Sequence, residues 1–473
     1  MKDKKALGTR HPQQTPDPAN QARDSMPWAS LERQVARMQK QIFQACQRGD
    51  TQAVHHLQQR LMETEAARLL AVRRVTGENQ GRDTAGVDGV KSLTSKERLA
   101  MASAIHPDHW KHQPLMPVRR VWISKPGTTE RRPLAILPMI DRCEQALAKL
   151  ALEPEWEAKF EPNSYGFRPG RGTHDAIVAI LRALEDRPVF VFDADIEGAF
   201  DNINQAALLD KLQTYPALGK AIDAWLKAGV MDGDLFFPSD RGIPQGGILS
   251  PLLMNVALHG MEAAVSPGSA KGHGAEQPHL VRYADDFVIF HSNLEELQQA
   301  AKRATRWLAA MGLHLHEDKT RITHTLTPYR EHVGFDFLGF AIRQYPTGKG
   351  GRGKSPGFKT SITPSEKAIE RHMAAIGQRL SKLRSASQAQ VIHELNPIIG
   401  GWAAYYLGVV PAATLSACDD LMWDLLLRWA SQRHPNQDKQ WLLTRYWHRS
   451  GQRGRVFSTP EGLQLRAHRP TNR

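Results

Sequence analysis

Leu280-Val281-Arg282-Tyr283-Ala284-Asp285-Asp286-Phe287-Val288-Ile289-Phe290 is the stretch from which the fold can be read. Two short apolar runs, Leu280 to Tyr283 and Phe287 to Phe290, flank Ala284-Asp285-Asp286, the pattern of a hairpin with acids at its tip. Upstream, Val189-Phe190-Val191-Phe192 is a continuous apolar run ending at Asp193-Ala194-Asp195. Such a run is a buried strand that delivers acidic residues to its carboxyl end. Carboxylates gathered at strand ends repel one another unless a cation sits between them. Hard oxygen donors of this kind suit Mg²⁺, and two such ions can clamp the attacking and leaving oxygens of a phosphoryl transfer. Taken alone, Tyr283 to Asp286 also reads as a solvated turn.

Working outward, Leu31, Val35, Met38, Ile42 and Phe43 recur at helical spacing, and a second helix is expected from about Val54 to Val75. Val118 to Lys125 and Arg131 to Ile136 read as paired strands around Pro126-Gly127-Thr128-Thr129. Helices are expected over Asp141 to Lys159, Ile248 to Val265 and Leu294 to Met311. Pro267 to Gln277 reads as a mobile loop. Glycine and lysine dominate Thr347 to Lys359, and then Thr363-Pro364-Ser365-Glu366 predicts a helix start, with Thr363 as the cap and Glu366 closing a capping box.

Lys and Arg number 62 against 49 Asp and Glu, a net charge of +13 over 473 residues. A surplus of this size favours a polyanionic partner. The three cysteines, Cys46, Cys143 and Cys418, lie far apart, which excludes a disulfide framework and a Cys-based metal site. The polar start has no signal-peptide core, and no apolar run approaches the roughly 20 residues of a membrane helix. A cytoplasmic protein without a membrane partner is expected; the oligomeric state is left open. His55 with His56, His314 with His316, and His434, His448 and His468 lack the Cys or acid spacing of a metal site, so they read as solvated or RNA-facing.

The order of segments carries more than any one of them. Arg132-Pro133-Leu134, Asp141-Arg142 with Gln145, Asn163 to Gly170 and Asp195 to Ile203 come first. Gly242-Ile243-Pro244-Gln245-Gly246-Gly247 leading into Ile248-Leu249-Ser250-Pro251, Tyr283 to Asp286, Glu317-Asp318-Lys319-Thr320 and Phe335 to Phe340 follow. From about Ala66 to Phe457 the chain resembles the group II intron reverse transcriptases, or maturases. The resemblance implies an α/β (α+β) right-hand polymerase with fingers, a palm built on an antiparallel sheet, and an all-α thumb or maturase domain. It also implies RNA-directed DNA synthesis with two Mg²⁺ ions (Mn²⁺ as an alternative), and assistance to splicing by binding intron RNA.

Carried over position by position, the resemblance makes Asp195, Asp285 and Asp286 catalytic, with Asp195, Ile196 and Asp285 at the metals. Lys125, Arg131, Arg132, Phe200, Gln245, Gly246 and Lys319 are expected around the incoming dNTP. Phe200 would leave no room for a 2′ hydroxyl, the arginines would grip the triphosphate, and Lys319 would protonate pyrophosphate or be a surface lysine. Arg168, Gly242, Pro244, Tyr283, Arg379, Lys382 and Arg384 are expected on the RNA template and DNA primer, the glycines because missing side chains let backbone approach a base pair. One departure stands out. The family has Arg-Pro-Leu-Gly-Ile-Pro where this chain has Arg132-Pro133-Leu134-Ala135-Ile136-Leu137-Pro138, which puts the backbone after Leu134 in question.

Asn396 to Tyr406 is the most specific stretch of the thumb, with Trp402 and Tyr405 read as packing anchors. Beyond residue 340 there are 20 Lys and Arg against 8 acids. The expected organisation is a disordered tail over 1–27, a helical extension over 28–90, and fingers and palm over 91–340. A linker over 341–362, a thumb over 363–430 and a basic DNA-binding-like tail over 431–473 follow, with target DNA as a further partner and no endonuclease. Two alternatives stay open: a domesticated or defence-associated reverse transcriptase without an intron, and a non-enzymatic RNA-binding splicing factor.

Overall fold

The run Val189 to Phe192 does become a buried central strand, and the architecture around it follows from where its neighbours pair. The computed structural model describes residues 26–110, 115–124, 131–267, 276–347, 357–450 and 454–469. Residues 1–25 of the expected tail, Lys125 with its turn, most of the 267–277 loop and the glycine- and lysine-rich 348–356 lie outside the described residues. In chain order the first strands are β1 (Val118–Ser124), β2 (Arg131–Ile136), β3 (Phe190–Ala194), β4 (Val230–Asp232), β5 (Leu235–Phe237), β6 (His279–Tyr283) and β7 (Asp286–His291). β8 (Arg321–His324), β9 (Phe335–Phe337), β10 (Phe340–Pro346), β11 (Phe358–Pro364), β12 (Trp447–Arg449) and β13 (Arg455–Phe457) complete the set. The chain forms two compact units.

The first unit takes residues up to Val121, Pro133–Phe160 and Ile203–Val256. The helices Trp28–Gln47, Thr51–Glu63 and Glu65–Arg73 pack on the long helix Met139–Lys159. The single helix expected over Val54 to Val75 is broken at Thr64. This residue adopts extended ψ and accepts a hydrogen bond from the Ala67 N–H, capping the next helix. Gln58, fully buried, donates to Glu155 Oε2 at 2.6 Å and ties two of these helices together. β1 runs parallel to β4, with Val118 opposite Val230, and β4 and β5 form a hairpin. β2 reaches Ile136 without interruption, so Ala135 is accommodated as an ordinary strand residue.

The second unit takes Trp122–Arg132, Glu161–Asn202 and Ala257–Arg473. Its main sheet is antiparallel, in the order β6-β7-β3-β8. The helices Thr173–Ala183 and Leu294–Ala310 pack on it, the latter opened by Asn293, which accepts from the Glu295 and Glu296 N–H groups. The Ile248 to Val265 helix is two helices, Ser250–Leu258 and Met261–Val265, parted by Gly260 at φ 94°.

Residues 341–362 are not a linker. β10 pairs with β9 and along its whole length with β11. Phe340, Ile342 and Gln344 alternate inward at period two, and Phe340 and Ile342 join the core of Val191, Val288, Phe290 and Tyr406. The glycines and lysines between the two strands mask this pattern. The helix start shifts with it: Thr363 and Pro364 end β11, and Ser365 caps Glu366–Lys382 by accepting from Ala368 N–H.

Four helices, Glu366–Lys382, Gln388–Tyr406, Ser416–Arg433 and Lys439–Tyr446, share a second core. The expected basic tail is part of it. Trp447, Phe457 and Leu465 are buried against Ile376, Leu395 and Trp429, and burying each such side chain is worth roughly 1.5–3 kcal/mol.

Candidate active site

The site begins with the register of the main sheet. Ala194, the last residue of β3, lies opposite Phe287 in β7. The next residue, Asp195, is therefore carried to the level of Asp286. Pairing continues past the strand: His316 N–H donates to the Asp195 carbonyl at 2.8 Å and Glu197 N–H to His314 O at 2.9 Å. Ile196 is buried and bridged to Leu315. Asp195 therefore sits on backbone held from both sides.

Tyr283 pairs with Asp286, leaving Ala284 and Asp285 as a two-residue turn. Ala284 takes φ 59°, a left-handed conformation costing roughly 1–2 kcal/mol for a residue with a Cβ. The stretch Asn163 to Arg168 holds this turn. Tyr165 N–H donates to Arg282 O and Arg282 N–H to Asn163 O, each at 2.9 Å. A Cβ on Gly166 would lie 2.4 Å from Ala284 N, so only glycine lets the two backbones meet. Inside the turn the fully buried Arg282 donates from Nη1 to Ala284 O at 3.0 Å. Burial pulls its pKa down to about 10 while Glu161 supports its charge. Sequence reasoning missed Arg282 and Glu161; an arginine inside an apolar strand was the available signal.

The carboxylates feel one another. Burial and, beyond it, the charge of Asp195 raise Asp285. Burial, then the like charges of Asp285, Asp195 and Asp193, push Asp286 up to about 7. Because Asp286 keeps contact with solvent, we ascribe more of that rise to the like charges than to dehydration. Burial lifts Asp193 to about 6 against the pull of Arg321, 3.3 Å away. One cation is already present: Lys319 Nζ lies 2.8 Å from Asp195 Oδ2.

No three His, Cys, Asp or Glu side chains among the described residues form a closed metal cage. The donor set instead fits a divalent ion held by one or two carboxylates, which completes its shell with water and phosphate oxygens. The mutual repulsion of Asp195, Asp285 and Asp286 is what such an ion would relieve.

Phe200, on the short helix Ala199–Asn202, meets Phe167 edge to face with ring centroids 6.5 Å apart. Phe167 is 48% exposed at φ 61°, an aromatic partner that sequence reasoning did not single out. Arg131 and Arg132 are exposed at the start of β2, and Lys125 lies outside the described residues. Tyr283 is half-buried against the sheet core.

Gly242, Pro244, Gln245 and Gly246 form a loop of the first unit. Gly242 N–H donates to Ile203 O at 2.7 Å, and the Pro244 carbonyl accepts from Ser250 Oγ at 2.7 Å. Gly246 corrects an expectation: its close approach is to protein. With φ +107°, a Cβ there would lie 2.7 Å from Ala135 O, and Ala135 N–H donates to Gln245 O at 2.6 Å.

Three further expectations change. Arg168 is buried and donates to the carbonyls of Glu161 and Ser164, each at 2.8 Å, so it fastens the loop and does not face a template. Arg379 is ion-paired with Glu394, whereas Lys382, at the end of the helix, and Arg384, in the turn after it, are exposed. His468 is neither solvated nor RNA-facing: it is buried, with Nδ1 2.7 Å from Asp419 Oδ1 and Nε2 2.7 Å from His372 Nε2. Trp402 packs as expected, stacked on His372 at 4.5 Å. No helix among the described residues is long and apolar enough to cross a membrane.

With this geometry in hand, the comparisons with known proteins are consistent along the chain. Residues 123–342 match the reverse transcriptase (RNA-dependent DNA polymerase) family, residues 24–105 the N-terminal domain of reverse transcriptase, and residues 369–447 the group II intron maturase-specific domain. Protein YkfC of Escherichia coli is 31% identical over 60% of this chain and 83% of its own length. The group II intron-encoded protein LtrA of Lactococcus lactis is 29% identical over 56% of this chain, a match spanning 53% of LtrA. The maturase-like protein 1 of Euglena gracilis is 24% identical over 80% of this chain and 76% of that protein.

Proposed function

The chain belongs to the group II intron reverse transcriptases, and from that premise we propose that it copies RNA into DNA and binds its intron RNA to assist splicing and mobility. The observation that carries this reading is the pairing of β3 with β7, which puts Asp195 at the level of the Asp285-Asp286 turn. Its partners are an RNA template with a DNA primer, dNTPs and intron RNA, with target DNA a further candidate.

Asp195 and Asp285 would hold two Mg²⁺ ions, for which Mn²⁺ could substitute, with Asp286 adding charge and Ile196 beside them. When bound, the ions supply the positive charge that favours an ionised primer 3′ hydroxyl and a leaving pyrophosphate. Lys319, beside Asp195, carries the proton that neutralises the leaving pyrophosphate. Arg131 and Arg132 take up triphosphate charge. Phe200, braced by Phe167, excludes a ribose 2′ hydroxyl. Lys382 and Arg384 contact nucleic-acid phosphates, and the helical core over 369–447 presents the intron-binding surface.

The test is primer extension on an RNA template, run beside intron RNA binding. Wild type should extend the primer, and Asp285→Ala should lose extension while still binding RNA. Extension that survives in Asp285→Ala would overturn the site. RNA binding with no extension by wild type would favour a non-enzymatic splicing factor.

A further inference from the structure

In the first unit, a cavity of about 630 Å³ lies among the helices Thr51–Glu63, Met139–Lys159 and Pro216–Lys227, a size typical of small-molecule sites. Its charge is opposite to that of the chain. Glu63, Asp108, Asp141 and Glu144 line it, against one cation, Lys220. Asp141 and Glu144 are three residues apart on one helix and share a face. Glu144 is 3% exposed, and its Oε1 has no hydrogen-bond partner. Trp225 lies beside the carboxyl and opposes the rise of its pKa, while Oε1 is left to a ligand. Such an orphaned buried acceptor is costly unless a ligand satisfies it.

The walls say which kind of ligand. Trp110 and Trp225 stand 5.4 Å apart, centroid to centroid, with Tyr215 beside them. Aromatic faces attract ammonium groups and cover methylenes. The acids lie at two depths, Glu144 on the floor and the exposed Glu63 and Asp108 at the mouth. A point cation would use one level; a chain of cations uses both. We propose that this cavity binds an aliphatic polyamine, ammonium groups separated by methylenes, with its inner ammonium on Glu144 and Asp141 and its outer one between Glu63 and Asp108. Burial, then Asp88, pushes Asp141 up to about 7, and burial, then Asp141, pushes Glu144 up to about 8. An entering ammonium would ease both.

The test uses the full chain freed of RNA, with spermidine as the probe, by calorimetry at fixed ionic strength and by tryptophan fluorescence. One spermidine site is expected, tighter than any for Mg²⁺ or arginine amide, with fluorescence changing on binding. Glu144→Gln should weaken it by about tenfold or more. Should that variant fail to fold, the mouth variant Glu63→Gln with Asp108→Asn decides, since both side chains are exposed; it too should weaken binding. Unchanged affinity in a folded variant of either kind, or equal binding of Mg²⁺ or arginine amide, would overturn the proposal.

Discussion

Asp195, Asp285 and Asp286 stand at strand ends, whereas Asp141 and Glu144 stand one turn apart on a helix. Both groups put carboxylates close together in a basic chain, and both raise pKa values, Asp286 and Asp141 each to about 7. The surroundings separate them. The strand-end acids sit on backbone fixed by the sheet register and have Lys319 at hand. The helix acids sit among indole rings, with one oxygen unpartnered. Open, rigid oxygen donors suit a divalent ion that shares its shell with phosphates; aromatic walls suit an organic cation. Like charges alone therefore do not identify a metal site.

The largest effect should come from the strand ends. Asp285→Ala should lower primer extension by about 10³-fold, read as single-turnover rate, without destabilising the protein, since it removes a charge from a crowded set. A milder loss is expected on removing the local cation: Lys319→Met should cost roughly 10²-fold in kcat, with Lys319→Arg recovering part of it. An unchanged kcat in Lys319→Met would reduce this residue to a surface lysine.

Stability should resolve the two clusters more gently. Each of Asp286, Asp141 and Glu144 has a folded pKa above its unfolded value, about 7, 7 and 8 respectively. Such groups favour the folded state at low pH and lose that contribution as pH rises through the folded pKa. The metal-free Tm should therefore fall by a few degrees between pH 5 and 8. Mg²⁺ should restore only the strand-end share, and Glu144→Gln should remove only the helix share. A Tm curve in which Glu144→Gln abolishes the Mg²⁺ effect would merge the two clusters into one.

How much of this was legible in advance depends on the residue. The β6–β7 hairpin, β3 and its acids follow directly from apolar runs that stop at aspartates. Arg168 does not: an arginine in a loop motif looks like a nucleic-acid contact, and only the fold shows its guanidinium spent on the carbonyls of Glu161 and Ser164. Gly246 misleads similarly, because a glycine signals close approach without naming what approaches. The reach of β10 beyond Ile342 and the whole of β11 were hidden by the composition between them, and the burial of Trp447 and Phe457 by their basic neighbours. The Glu144 cavity left no local trace, since its lining comes from four separated helices.

The most direct test is Mn²⁺ binding, followed by electron paramagnetic resonance, with primer–template and a non-extendable dNTP present. The account predicts bound Mn²⁺ in the wild type, its loss in Asp195→Asn and in Asp285→Asn, and its retention in Glu144→Gln. Retention of Mn²⁺ after replacement of both Asp195 and Asp285, or its loss in a folded Glu144→Gln variant, would contradict it.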